Sequence, residues 1–491
     1  PHEFALGSLS VGEHRLTICV DNGFLLPYRP DGHGITDATA ATWNGLVGRV
    51  ELCALPAVYI NKAAVYPDYD TRTVTVKGII NKVSAGNEKI TLTVNDIKKE
   101  YLIKKTKSEF SVDVEYPRTA EAWDEFTPVL HTISIKLEGT SQGTGFGFRK
   151  LETYDGRFYV NGRQAYFRGT HFGGEFPLTG HPATGVKEWK RIFNVCKEWG
   201  LNFMRFHSYC PPEAAFEAAD ELGIYLQVEC GMWNCFREDN DMLLVLKEET
   251  KRILSSFGNH PSFVMLSPSN EPAGGWFGQL MEWVKFVRAY DTRRLYTMQS
   301  GWPFPCASED ITDNDYLYYH RSAKGPHRGG TIRGREGWYG NDYRASLDGV
   351  KQPVICHELG QWCSYPDFDI KDKFTGYLKP GNYKVFEARA EKQGLLDKNK
   401  ELAEASGKFQ AQMYKEDLEA NFRTPKIYGF ELLDLHDYLG QGTALVGVLD
   451  AFWEEKGYIT AEEFRRSCAE TVILIRMPKF VYTDNETFEA S

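Results

Sequence analysis

The chain has 491 residues, 42% hydrophobic and 14% aromatic, with a formal net charge of −10 and a pI near 5.7. That length implies two or more domains, and the apolar content excludes a disordered chain. Neither a basic stripe nor an apolar run approaching ~18 residues is present, so neither nucleic acid nor a membrane is an expected partner.

Residues 1–57 are β-patterned. Arg15–Val20 and Gly48–Leu52 read as strands separated by a Gly- and Asp-rich loop. This is too little for a stable domain and reads as the tail of a larger β-sandwich. Residues 58–148 carry short alternating segments, among them Thr73–Val76, Ile90–Val94 and His131–Ile135, which predicts an immunoglobulin-like β-sandwich. The cysteines lack zinc-finger spacing, and Cys196 and Cys356 sit in apolar runs, so no disulfide framework is expected.

From residue 149 the rhythm becomes strand, helix, strand, helix. Predicted strands are Ala165–Gly169, Phe203–His207, Ile224–Glu229, Phe263–Leu266, Leu295–Gln299, Tyr316–Tyr319, Pro353–Cys356 and Ile427–Leu433. Helical spacing separates several of them, as in Trp189, Ile192, Phe193, Cys196 and Trp199. Eight such strands over residues 149–478 give a (β/α)8 TIM barrel in an α/β fold. A doubly wound sheet is the alternative, but no Gly-rich phosphate turn follows the first strand. Residues 479–491, with Phe480–Thr483, read as the start of a further β-rich domain.

A barrel places the residues just past each strand around one pocket. In order these are Arg168 and His171; Arg205 and His207; Glu229; Asn270 and Glu271; Gln299 and Trp302; His320; His357 and Glu358; Asp434 and His436. Taken singly, Asn270-Glu271 could merely start a helix. Taken together, such a mouth permits either a divalent metal or paired carboxylates acting on a glycosidic bond. Glu229 is followed by Cys-Gly-Met-Trp rather than by His, which favours the carboxylate pair and no cofactor. Glu271 and Glu358, after strands four and seven, are the expected pair. Trp233, Trp276, Trp302 and Trp362 lie near strand ends, where a sugar ring could stack or the indole could simply pack.

Four segments carry a resemblance to glycoside hydrolase family 2. Thr42–Leu52 resembles the close of that family's N-terminal jelly roll. Asn161-Gly162 through Phe167-Arg168-Gly169 resembles the entry to barrel strand one. Asn259-His260-Pro261-Ser262 leading into Asn270-Glu271-Pro272 resembles the acid/base segment. Pro353-Val354-Ile355-Cys356-His357-Glu358-Leu359-Gly360 resembles the nucleophile strand.

The resemblance implies Glu271 as acid/base, Glu358 as nucleophile and Asn270 as the partner of the sugar 2-hydroxyl. It implies an exo-acting retaining β-glycosidase, β-galactosidase-like, on a glycan or oligosaccharide. Arg205, His207, His171, His320, Trp302, Trp362 and His436 are the further expected substrate contacts. A β-mannosidase, arabinosidase or uronidase of the family is the alternative, and an inactive carbohydrate-binding barrel or a metal-dependent hydrolase is the alternative of another class. The loop Gly440–Gly447 lacks the family's Asn-x-Lys grip on a uronate, which lowers the glucuronidase reading. Tyr318, Tyr319 and Glu229 receive no role. The chain reads as a fragment lacking both ends, and a periplasmic or extracellular site is expected over the cytoplasm.

Overall fold

The computed structural model describes residues 3–21, 43, 45–137, 140–301, 310–320, 342–347 and 349–491. Its centre is an eight-stranded parallel sheet that curls into a barrel. Around the sheet run Leu295–Tyr296, Phe263–Asn270, Tyr225–Met232, Phe203–Phe206, Phe167–Phe172, Ile427–Leu433, Val354–Gly360 and Leu317–His320. In chain order these are barrel strands five, four, three, two, one, eight, seven and six. At the seam the Asp315 amide donates to the Tyr296 carbonyl at 2.9 Å, and the Tyr296 amide to an Asp315 carboxylate oxygen at 2.9 Å.

Helices Val186–Glu198, Glu213–Leu222, Met242–Phe257 and Trp276–Tyr290 follow strands one to four, and Asn399–Arg423 precedes strand eight. The first buries Trp189, Ile192, Phe193 and Cys196, the stripe that its 3.6-residue periodicity predicts. The first strand starts at Phe167 rather than Ala165. Arg163–Ala165 pairs antiparallel with Arg157–Val160 in a small sheet instead, and Phe158, Val160 and Ala165 join the apolar cluster at the base of the barrel.

Before the barrel stand two antiparallel sheets. One joins Val58–Pro67, Thr73–Lys82 and Lys107–Glu115; the other joins Glu88–Val94, Ile97–Ile103, His131–Leu137 and Thr140–Phe146. Their inner faces share one core, including Val74, Val76, Ile90, Leu92, Ile133 and Phe146, as alternation along each strand requires. This unit docks on the turn before barrel strand four. Asn259 accepts from the Val65 amide at 2.9 Å and donates to the Ala63 carbonyl at 2.9 Å. His260 and the Ser262 amide bind the Asp220 carboxylate at 2.6 and 2.9 Å.

Three expected segments form no strands. Arg15–Val20 and Gly48–Leu52 make no ladder, and Leu16, Ile18, Val20, Val50 and Leu52 are exposed. Phe480–Thr483 likewise forms no strand. Alternation creates a strand only where a neighbouring edge supplies hydrogen bonds, and no described strand pairs with these segments.

Candidate active site

Strand four shows how the site is made. Phe263, Val264, Met265 and Leu266 pack into the apolar clusters, and then Ser267, Ser269 and Asn270 continue the strand wholly buried. Glu271 follows with φ +41°, a left-handed conformation that strains a residue bearing a Cβ. Its amide donates to the Ser300 carbonyl at 2.9 Å. Its carboxylate accepts from the Trp233 indole at 3.1 Å, and Trp233 is itself at φ +48°. Glu358, on strand seven, is also left-handed at φ +48°, and its amide donates to Glu431 at 2.8 Å. The ladder with strand eight slips between Cys356 and Leu359, which turns Glu358 toward the mouth.

The two carboxylates meet. Ligand atoms of Glu271, His357 and Glu358 all lie within 4.8 Å of one another. Gln361 donates to Glu358 Oε2 at 3.2 Å, and Arg205 Nη1 stands 3.7 Å from Glu358 Oε1.

Arg205 is the hub beneath them. Wholly buried, it donates from Nε to Glu229 at 2.7 Å, from Nη1 to Glu431 at 2.9 Å and from Nη2 to Asn270 Oδ1 at 2.7 Å. Burial alone would lower its pKa, but Glu229 and Glu431 hold it well above the ordinary arginine value. Glu229 also accepts from Ser208 and, at 2.5 Å, from Ser300, so it anchors Arg205 rather than facing the mouth. Burial pushes Glu431 well up, against the pull of Arg205. Tyr318 lies under the guanidinium, 5.6 Å from ring centroid to Cζ, with its hydroxyl given to Gln227 at 3.0 Å. It is a floor residue.

A second cluster lines the side formed by strands one and eight. His171 Nδ1 pairs with Asp434 Oδ2 at 2.8 Å, and Thr170 donates to Asp434 Oδ1 at 2.5 Å. Burial raises the Asp434 pKa well above the usual carboxylate range. The His171 and His207 rings lie 4.3 Å apart, and both histidines reach within 4.8 Å of a Glu358 oxygen. Behind them His436 stacks on Trp453 at 4.2 Å, with Glu175 4.0 Å away. Burial drives the pair apart, Glu175 up to about 7 and His436 down to about 4.

The expected site residues thus divide. Glu271, Glu358, Asn270, Arg205, His207 and His171 come together. His436 is wholly buried and stacks on Trp453. Trp362 gives its indole N–H to Asp417 of the long helix at 2.8 Å, and its ring belongs to the barrel core. Trp302 and the His320 side chain lie outside the described residues. Sequence reasoning passed over Glu431, Glu175 and the Trp233–Glu271 bond. A lone charge inside an apolar strand, as in Phe430-Glu431-Leu432, was the available signal for the first.

Among the described residues, two donor sets could hold a cation, His171–His207–Glu358 and Glu271–His357–Glu358. The first has two imidazoles and a carboxylate, a set suited to zinc, but its Glu358 is paired with Arg205, whose charge opposes a cation there.

Residues 151–361 match the family model described as the TIM barrel domain of glycosyl hydrolases family 2. The β-galactosidase of Lactococcus lactis is 24% identical over 388 residues, covering 68% of this chain and 37% of that protein. The β-galactosidase large subunit of Latilactobacillus sakei is 23% identical over 305 residues, covering 57% and 48%. The chain therefore spans half or less of these curated relatives. Among solved structures, a family 2 β-galacturonidase from Eisenbergiella tayi bound to galacturonate aligns with a TM-score of 0.64 at 16% identity, covering 86% of this chain and 74% of the other. A β-glucuronidase of Bacteroides uniformis aligns at 0.61 and 15% identity, covering 86% and 53%. With this match, and with its strand-end carboxylates paired, the barrel of this chain is similar to the TIM barrel domain of glycosyl hydrolases family 2.

Proposed function

We propose that the chain is the barrel-bearing part of an exo-acting retaining β-glycosidase, β-galactosidase-like, that removes terminal sugars from glycans by double displacement. The observation that carries this reading is the approach of Glu271 and Glu358 to within 4.8 Å at their nearest ligand atoms. Retaining enzymes hold their two carboxyl groups about 5–5.5 Å apart, and inverting ones leave room for a water between them. Glu358, beside Arg205 and Gln361, is the nucleophile that attacks the anomeric carbon. Glu271 protonates the leaving oxygen and then takes a proton from water as the glycosyl–enzyme is hydrolysed.

The reading needs no cofactor, because both proton transfer and covalent capture fall to carboxylates. A uronidase is the second reading, favoured by the solved structures above that carry galacturonidase and glucuronidase names. The absence of Asn-x-Lys from Gly440–Gly447 weighs toward a neutral sugar. The two-sheet unit at 58–148 fits an immunoglobulin-like sandwich, and a periplasmic or extracellular place suits an enzyme acting on glycans.

The test is hydrolysis of activated aryl β-glycosides by Glu358→Ala and Glu271→Ala. Each change lowers turnover by roughly 1,000-fold or more, as removal of a covalent or proton-transfer group does. Azide restores turnover to the first variant. Normal hydrolysis by either variant removes the assignment. Loss of activity to a chelator, with recovery on adding a divalent ion, replaces it with a metal-dependent barrel hydrolase.

A further inference from the structure

Position 357, next to the nucleophile, is a wholly buried histidine. Its Nε2 lies 3.2 Å from Asn270 Oδ1 and 3.3 Å from Glu358 Oε1. Both atoms are acceptors, so that nitrogen carries a proton shared between them. The orientation of the Asn270 amide is then fixed. Arg205 can only donate, so the Asn270 atom 2.7 Å from its Nη2 is oxygen. Asn270 Oδ1 thus receives Arg205 and His357 together. Its Nδ2 is buried and has no hydrogen-bond partner among the described residues. A buried amide left with an unused donor is costly unless a ligand accepts from it.

The imidazole is itself held in place. Tyr318 packs edge-on to it at 5.9 Å. Gly301, at φ +80°, lies flat against its other side: a Cβ there would stand 2.6 Å from Nδ1 and 2.7 Å from Nε2.

We infer that His357 is a positioning residue for recognition at sugar position 2: it ties the nucleophile to Asn270, so that Nδ2 presents one fixed donor to the group beside the anomeric carbon. The inference rests on the glycosidase reading. Glu358 attacks C1, so Asn270, held beside it through the shared His357 N–H, is placed to meet the substituent on C2, and bonds to a 2-hydroxyl strengthen in the transition state. A substituent at C2 that accepts a hydrogen bond is therefore required, and one that cannot accept is penalised.

The experiment compares 4-nitrophenyl β-galactoside with its 2-deoxy analogue in the wild-type chain, His357→Gln, His357→Ala and Gly301→Ala. For the wild type, kcat/KM favours the 2-hydroxyl substrate by roughly 100-fold or more beyond the ratio of the uncatalysed reactions. His357→Ala cuts that preference about ten-fold or more, mainly through kcat. His357→Gln, which can still donate, keeps more of it. Gly301→Ala, which displaces the ring without removing it, lowers the preference as His357→Ala does, with its fold verified by thermal unfolding. A loss of rate equal for both substrates in His357→Ala and Gly301→Ala overturns the inference and leaves the glycosidase reading intact. Failure of the wild-type chain to hydrolyse any aryl β-glycoside overturns both.

Discussion

The two ends of the barrel are made from the same eight strands and share almost no chemistry. At the lower end Trp123, Phe158, Phe167, Phe203, Tyr225, Val264 and Met265 form one apolar cluster. A few residues further along the same strands, Thr170, Arg205, Glu229, Asn270, Glu358 and Glu431 crowd together, nearly all buried. The lower end gains from area removed from water, about 25 cal/mol per Å². The upper end gains little, because buried ion pairs barely repay their desolvation. The comparison teaches that stability is concentrated in one half of each strand, and the other half is free to hold charge in arrangements that favour a reaction.

Breaking the upper network should have the largest effect. Arg205→Ala leaves Glu229 and Glu431 buried without a counter-charge, a loss on the order of 3–5 kcal/mol, and it also removes the support of Asn270 and Glu358. Denaturant unfolding and turnover should both collapse. Phe167→Ala at the lower end should cost a similar or slightly smaller amount, about 3–5 kcal/mol, yet leave kcat per folded molecule within about two-fold of the wild type. A large fall in kcat there would show that the two ends are coupled.

Glu175→Gln sharpens the contrast through pH. Burial raises Glu175 from 4.5 to about 7, so the fold favours the neutral acid. That stabilisation is complete below pH 4.5 and is lost as pH rises through 7. His436, lowered from 6.5 to about 4, acts in reverse: its share is complete above 6.5 and is lost as pH falls through 4. The amide variant should match the wild type near pH 4.5 and exceed it above pH 7 by on the order of 3 kcal/mol, measured by unfolding at each pH. The smallest effect is expected away from both ends. Thr460 and Glu463 form a capping box on the helix Ala461–Arg465. Thr460→Ala should cost about 1 kcal/mol with turnover unchanged.

Much of this was legible beforehand, for reasons that differ by residue. Strand four announced itself because Phe263–Leu266 is apolar on both faces, as a strand between barrel and helices must be, and because Asn270-Glu271 ends the run. Counting strands then brought Glu271 opposite Glu358. Glu431 stayed hidden, since one charge in an apolar strand looks like an exposed edge position until the fold turns it inward to Arg205. The bond of Trp362 to Asp417, 55 residues on, was not legible, because an indole near a strand end suits a sugar face and a helix equally well. Arg15–Val20 misled because alternation reports a capacity for pairing, and the partner edge is not local information.

The left-handed backbone at Glu271 and Glu358 bears on any attempt to improve this protein. Each such residue costs of order 1–3 kcal/mol, which glycine, and to a lesser degree asparagine, would recover. A library screened for heat resistance alone would therefore enrich replacements at the two positions to which the proposed hydrolysis is assigned. Its most durable members would be inert, so thermal selection on this scaffold has to be run with a sugar-release assay at every round.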